Sequence, residues 1–120
     1  MSFVNLKWKK RDATDYIYIV KRDLKGVDIE TLRNKCIRKG GLDTGYHYVI
    51  RANGDVEPDR PDYAYAGWCF AHEERSVSVL IDTAGTGKVT MASKKALKKI
   101  LSKYPKAEVK EVEMSEEEEI

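Results

Sequence analysis

Histidine and cysteine are the side chains best suited to binding a transition metal or acting as a nucleophile, and this chain of 120 residues has two of each. His47 lies between two tyrosines of an alternating run, which is typical of a core or interface histidine. His72 precedes two glutamates and follows Cys69 by three residues, but neighbouring residues in a turn rarely converge on one ion without a further ligand. A catalytic zinc site needs three protein ligands around an open position. The residue types and spacing therefore predict no metal and no cofactor.

The segment 41–60 carries the strongest structural signal in the sequence. Glycine-marked turns bracket an alternating aromatic and β-branched run, which is the pattern of a strand within a sheet. Asn53 and Gly54 both tolerate positive φ, so this pair predicts a tight turn. Residues 46–51 are therefore expected to form a strand that pairs, through a hairpin, with residues 55–57.

Two helices and further strands are predicted around this hairpin. Asp28 can cap a helix that reaches about residue 39, and Thr90 can cap a longer, lysine-rich helix that Pro105 ends. The lysines lie opposite its apolar stripe, which is typical of a solvated face. Three further segments have the pattern of strands: 16–20, 76–81 and 107–112. The sequence therefore predicts an α/β fold with a single mixed central β-sheet flanked by two main helices.

The segment 82–88 resembles a phosphate-binding loop in its glycines and its lysine. That motif needs a glycine where Asp82 stands and a serine or threonine where Val89 stands. We therefore expect a plain turn between a strand and a helix, with no phosphate site.

Composition indicates one ordinary domain, with 42% apolar and 35% charged residues. We expect this domain to span residues 1–113 and an acidic tail to span residues 114–120. A net charge of +2 does not by itself indicate a polyanion, so the sequence does not favour a nucleic-acid partner. No stretch approaches the ~20 apolar residues of a membrane span, and no export signal is recognisable. A cytoplasmic location with Cys36 and Cys69 unpaired is therefore expected.

Several segments share their order and spacing with a known family. A Gly-Tyr-His-Tyr strand at residues 45–48 follows a predicted helix and precedes a glycine turn, and the segments 10–20, 76–81 and 103–104 match in the same order. Together they resemble the zinc amidases that cut N-acetylmuramoyl-L-alanine bonds in peptidoglycan, most closely the T-seven-type phage lysozymes. The resemblance extends to about Glu113 and implies an amidase-like fold.

The resemblance also implies that the zinc ligands of the family have been lost. Val20 stands where the first strand of the family ends in a zinc-binding histidine, and residues 111–113 stand where a second one lies. The third ligand and a catalytic lysine come further on than this sequence reaches. Tyr46 keeps the place of a tyrosine near the active centre of the family. These differences predict a catalytically inactive, amidase-like binding protein of phage origin that acts in the host cytoplasm and is not an enzyme.

A groove without its metal can still bind a ligand through aromatic and basic side chains. Rings stack on planar groups and arginines pair with phosphate or carboxylate, so we expect a small anionic ligand, nucleotide-like in character, or a muropeptide. The resemblance predicts these ligand-binding residues: Tyr18, Lys21, Arg22, Tyr46, Arg51, Arg60, Tyr65, Trp68, Phe70 and Arg75. In the alternative interpretation, the aromatic side chains fill the space vacated by the metal site.

Two other functions stay open. The T-seven-type relative also inhibits the polymerase of its phage, so the chain could instead be a protein-interaction regulator of a polymerase or a host factor. It could also be a residual peptidoglycan amidase with a substituted site.

Overall fold

The computed structural model describes residue 11, residues 13–38, residues 46–60, residue 63 and residues 75–112. The elements in chain order are β1 (Tyr16–Arg22), α1 (Ile29–Arg38), β2 (Tyr48–Ile50), β3 (Val56–Pro58), β4 (Ser76–Asp82), α2 (Met91–Leu101) and β5 (Glu108–Val112). Among these residues, no helix has the length and apolar character that a membrane span demands.

The five strands form one sheet in the order β3-β2-β4-β1-β5. Strand β1 lies parallel to both β4 and β5, β2 is parallel to β4, and β3 is antiparallel to β2 at one margin. The prediction of a single mixed sheet with two main helices is therefore confirmed. The parallel strands end on the same side, because Val20 is level with Leu80 and Val112, and Ile50 is level with Ile81. We call this side the carboxyl edge and the opposite side the amino edge.

Alternation along the strands gives the sheet two apolar faces, each covered by one helix. The α1 face buries Tyr18, Val20, Leu24, Leu32, Tyr46, Val49 and Leu80. The α2 face buries Ile17, Ile19, Tyr48, Ile50, Val77, Val79, Ile81, Ala96 and Ile100. Every residue of the central strand β4 is buried, as expected for a parallel strand covered on both faces.

Helix α2 is fixed to the hairpin at its first turn. Thr90 is its N-cap, as predicted, and its Oγ1 accepts a hydrogen bond from the Ser93 backbone N at 3.1 Å. The same hydroxyl donates to the carbonyl oxygen of Ala52 at 2.6 Å, and Ser93 Oγ donates to the carbonyl oxygen of Arg51 at 2.7 Å. The helix ends at Leu101, before the predicted stop at Pro105, because the chain turns through residues 102–104.

The hairpin between β2 and β3 has the predicted turn. Gly54 has φ of 93°, a conformation that favours glycine, and its N donates to the carbonyl oxygen of Arg51 at 2.9 Å. Strand β2 is shorter than predicted, because the chain bends at His47 and regular pairing begins at Tyr48. Asp28 caps α1 as predicted, since its Oδ1 accepts a hydrogen bond from the Thr31 N at 2.7 Å.

Candidate functional site at the carboxyl edge of the sheet

The carboxyl edge is the place where an open α/β sheet binds its ligands, in the crevice outside the strand ends. Here β1 ends at Arg22, which is level with Asp82 at the end of β4, and Arg51 follows directly after β2. Three predicted site residues therefore lie at this edge: Lys21, Arg22 and Arg51. The edge is the candidate functional site.

The apolar layer below the edge is closed. Val20 is fully buried, and Tyr18 and Tyr46 are 6% and 3% exposed within the cluster that packs against α1. The two tyrosines were predicted to line a groove, but in the fold they are core side chains. The alternative interpretation, in which the aromatic side chains fill the space vacated by the metal site, stays a prediction.

The cations of the edge have acidic neighbours. Lys21 Nζ lies 3.2 Å from an Oε2 of Glu111 on the adjacent strand β5, and Arg51 forms an ion pair with Glu57 on β3. Asp28 also lies near Arg51. Hydrogen bonds from the side chain and backbone of Thr31 hold the pKa of Asp28 below its ordinary value, and the charge of Arg51 adds a smaller effect in the same direction.

The remaining described site residues lie at the amino edge. The backbone N of Arg60 donates to the carbonyl oxygen of Tyr46 at 3.1 Å, and Arg75 forms an ion pair with Asp15. Strand β1 has seven residues, so roughly 20 Å separates the two edges. The fold therefore does not bring the predicted cations into one site. Three further predicted residues lie outside the described residues: Tyr65, Trp68 and Phe70.

His47 is a core residue that accepts a backbone hydrogen bond, a role that the periodicity of the sequence did not predict. It is fully buried, and its Nδ1 accepts a hydrogen bond from the backbone N of Ser78 at 3.0 Å. The imidazole thus takes the place of a backbone acceptor beside β4. Because the chain bends there, Tyr46 packs on the α1 face and Tyr48 on the α2 face, although simple alternation puts them on the same side. Only the fold reveals this role, since Ser78 is 31 residues away.

Asp82 is a second polar residue whose structural role the sequence did not predict. Its Oδ1 accepts hydrogen bonds from the backbone N of Leu24 at 3.1 Å and of Ala84 at 2.8 Å, so one carboxylate joins the loops that follow β1 and β4. Thr86 N donates to the carbonyl oxygen of Thr83 at 3.0 Å. The segment that resembles a phosphate-binding loop is therefore a plain turn, as predicted.

Zinc, which the resemblance implies for the family, does not fit the described residues. No group of three or more His, Cys, Asp and Glu side chains converges among them. An aliphatic side chain, Val20, stands buried at the position that the resemblance gives to a ligand, and Nδ1 of His47 is engaged with Ser78. His72, Cys69 and Glu113 lie outside the described residues. We therefore derive no catalytic step through a metal.

Comparison with known proteins gives both a relative in sequence and neighbours in fold. The chain is 27% identical over 79 residues to the endolysin of Escherichia phage T7, an alignment that covers 63% of this chain and 52% of that protein. The chain therefore spans about half the length of the phage endolysin that it matches. No family model matches it.

Solved structures share the fold over most of the chain. N-acetylmuramoyl-L-alanine amidase LysC from Clostridium intestinale URNW superposes with a TM-score of 0.74 at 18% identity, covering 90% of this chain and 78% of LysC. PGRP-Hd from Alvinella pompejana, a peptidoglycan-recognition protein, gives a TM-score of 0.72 at 16% identity, covering 87% and 76% of the two chains. The resemblance stated from the sequence is confirmed, and the fold is that of amidases and peptidoglycan-recognition proteins.

These comparisons correct one prediction. The sequence predicted that the chain is not an enzyme, because Val20 and residues 111–113 replace expected zinc ligands. That prediction is wrong, because the similar proteins are named as endolysins and amidases, which indicates an enzyme. The reason for the error is that the prediction rested on single positions, Val20 and residues 111–113, although other residues of the chain can also contribute ligands to a site.

Proposed function

We propose, from a fold shared with N-acetylmuramoyl-L-alanine amidases and a sequence similar to a phage endolysin, that this chain binds peptidoglycan and cleaves its muramoyl amide bond. The observation that supports it best is that independent comparisons agree. A sequence match to an endolysin over 79 residues coincides with an amidase fold over 90% of the chain. Both the activity and the substrate belong to the proposal, because the alignment covers only 52% of the phage endolysin.

The carboxyl edge supplies the features that such a ligand needs. Lys21, Arg22 and Arg51 carry positive charge there, and the free carboxylates of a muropeptide stem are suitable counterions. The closed layer of Val20 and Leu80 beneath the edge keeps water out of the sheet and gives the bound peptide a firm apolar base. In this proposal these residues bind and orient the substrate.

Binding and cleavage are measured separately. Purified chain is mixed with insoluble murein sacculi, the bound fraction is determined by sedimentation, and the released stem peptides are identified by mass spectrometry. Both measurements are made with and without added zinc, the metal that the resemblance implies. We expect sedimentation with the sacculi and release of peptides that begin with L-alanine. Sedimentation without such peptides would overturn the hydrolytic half of the proposal, and a chain that stays in the supernatant would overturn all of it.

A matched pair of variants locates the binding surface. Lys21→Ala with Arg22→Ala removes two charges from the carboxyl edge, whereas Lys98→Ala with Lys106→Ala removes two exposed charges elsewhere. We expect the first pair to weaken sedimentation with sacculi about fivefold and the second to leave it unchanged. Equal weakening by both pairs would show that net charge, not the edge, governs binding.

A small nucleotide-like ligand at the same edge is a second candidate, motivated by the cations of Lys21, Arg22 and Arg51. It has less support, because the same cations would serve either ligand, whereas the similar proteins are named as endolysins, amidases and peptidoglycan-recognition proteins. A thermal-shift series with ATP and with a muropeptide separates the two candidates. Stabilisation by the nucleotide alone would favour the second. A role as a regulator of another protein stays a prediction.

A further inference from the structure

A groove lies on the α2 face between helix α2 and the β2–β3 hairpin, and its hairpin end adjoins Arg51 at the carboxyl edge. It has a volume of about 530 Å³. Its apolar floor is formed by Tyr48, Val56, Ala92, Ala96 and Ile100. Lys95, Lys99 and Lys103 form one wall, and Asn53 and Asp55 close the end at the hairpin turn. We call this feature the lysine groove.

The lysines of this wall have no acidic partner among the described residues. Within the described part of the chain, none of Lys95, Lys99 and Lys103 forms an ion pair, and Lys103 Nζ instead lies 5.5 Å from the ring centre of Tyr48. Asp55 is the one carboxylate in the lining, and it accepts a hydrogen bond from Asn53 Nδ2 at 3.1 Å. Three cations against one anion leave the groove positively charged.

The placement of these lysines works against the stability of the helix. Neighbours four residues apart, such as Lys95 and Lys99, repel each other, and α2 has no acidic residue to relieve them. Lys94 lies in the first turn, where the helix dipole is unfavourable for cations, whereas Lys98 and Lys99 lie in the last turn, where it is favourable. Lys95 and Lys99 repel each other and also line a groove. This combination indicates a binding surface, because a helix face that is only solvated does not have to border a groove.

The shape of the groove selects among anionic ligands. Lys95 and Lys99 are four residues apart in α2, a rise of about 6 Å, and Lys103 follows the end of the helix. Alternate side chains of an extended peptide repeat about every 6.7 Å, so carboxylates at every second position can face Lys95 and Lys99. Single-stranded nucleic acid binds through exposed rings on which bases stack. The aromatic residue in the lining is Tyr48, which is only 7% exposed and has Lys103 over its ring. The lining therefore favours a peptide over a nucleic acid.

We propose that the lysine groove binds an extended, acidic peptide segment of a partner protein, with alternate carboxylates on Lys95, Lys99 and Lys103 and the intervening side chains away from this wall. Backbone amides of the peptide are suitable donors to Asp55 at the hairpin end. The site is distinct from the cations of the carboxyl edge and does not depend on the proposed amidase function, since its lining includes none of Lys21, Arg22 and Arg51.

The test uses two fluorescein-labelled peptides of one composition. Glu-Val-Glu-Val-Glu places its carboxylates on one face when extended, and Val-Val-Glu-Glu-Glu does not. Binding to the full chain is followed by fluorescence anisotropy at about 0.15 M salt, where exposed charges are well screened. We expect the alternating peptide to bind at least fivefold more tightly. Equal affinity for the two peptides would overturn the proposed register.

Matched double variants separate the groove from the rest of the helix. Lys95→Ala with Lys99→Ala removes two groove charges, and Lys94→Ala with Lys98→Ala removes two charges of the same helix outside the lining. We expect at least a tenfold loss of affinity from the first and less than threefold from the second, with melting temperatures no lower than that of the wild type as a check on folding. Equal losses would overturn the groove as the site.

Two further measurements address other occupants. A labelled thymidine pentanucleotide that binds more tightly than the alternating peptide would overturn the peptide assignment in favour of nucleic acid. Deletion of residues 114–120 tests the acidic segment of the chain itself. A chain that binds the peptide only after this deletion would show that its own segment occupies the groove, which overturns a partner peptide. Unchanged binding supports the proposal.

Discussion

The carboxyl edge and the lysine groove both carry clustered cations, but they use them differently. At the edge, Lys21 and Arg51 face Glu111 and Glu57 of neighbouring strands, above a fully buried apolar layer. In the groove, Lys95, Lys99 and Lys103 form no ion pair with another described residue, and Lys103 lies over the ring of Tyr48. The comparison teaches that the number of lysines and arginines says little about binding until their partners are known. Surface pairs like that of Lys21 stabilise a fold only slightly, yet they reduce the charge available to a ligand.

The two regions also differ in what lies beneath the charges. Strand β4 ends at the carboxyl edge, and all seven of its residues are buried, so the edge is supported by closely packed side chains. The groove is bounded by one helix and by the short hairpin strands β2 and β3, each of three residues. We therefore expect substitutions below the edge to cost more stability than substitutions around the groove.

The largest expected effect comes from Leu80→Ala, which removes a fully buried side chain of β4 from the α1 face. Loss of its packing and the resulting cavity should lower the free energy of unfolding by about 3 kcal/mol. Chemical denaturation followed by circular dichroism measures this change. Lys99→Ala, at an exposed position of the groove wall, is the control and should change the same quantity by less than about 0.5 kcal/mol. If both substitutions lowered the free energy of unfolding by similar amounts, the residues below the carboxyl edge would not be better packed than those around the lysine groove.

His47→Ala should have the next largest effect. The Ser78 backbone N–H would lose its acceptor in a buried setting, which costs about 2 kcal/mol of unfolding free energy. His47→Asn is the matched variant, because its Oδ1 can occupy the place of Nδ1 and accept the same hydrogen bond. We expect the asparagine to recover about half of the loss. An asparagine as damaging as the alanine would show that the imidazole acts by filling space and not as an acceptor.

Gly54→Ala probes the hairpin end of the groove. An added Cβ would lie 3.0 Å from the Cβ of Ala92, so the turn and α2 would have to move apart. Gly26→Ala is the control, because Gly26 also has positive φ, 73°, but no atom lies within 4 Å of an added Cβ. Both substitutions carry backbone strain of about 1 kcal/mol, and Gly54→Ala should lower the unfolding free energy by about 1 kcal/mol more. Equal costs would mean that the turn does not pack against α2.

Sequence patterns predicted the elements well and the site poorly, and the reason lies in the range of the interactions. Local signals gave the Thr90 and Asp28 caps and the Asn53-Gly54 turn, since each depends on residues close in sequence. Arg60 and Arg75 were grouped with the cations of the carboxyl edge, but strand direction puts them at the amino edge. Direction and register are properties of the whole sheet, so they could not be obtained from residue spacing.

The groove was missed for a related reason. The lysines of α2 were interpreted as a solvated face, which is what a helix shows when only its own sequence is considered. Their significance depends on the hairpin that faces them and on the lack of acidic partners in the described residues. A sequence does not state which distant segment approaches a helix, so a concave charged surface is visible only in the fold.

The smallest expected effect concerns pH at the carboxyl edge. Hydrogen bonds from Thr31 lower the pKa of Asp28 in the folded chain, with a smaller contribution from the charge of Arg51. A lowered pKa means that the carboxylate stabilises the fold at pH values above its ordinary pKa of 3.8, and that this contribution is lost as the pH falls through the folded value. Asp28→Ala should therefore reduce the melting temperature slightly at pH 7, and the difference should shrink as the pH falls below 3.8. Because Asp28 is exposed, the difference at pH 7 should be smaller than that of any substitution above. A gap between wild type and variant that persists at pH 2 would show that the residue acts through its shape and not its charge, and the cations of the edge would then have one electrostatic partner fewer.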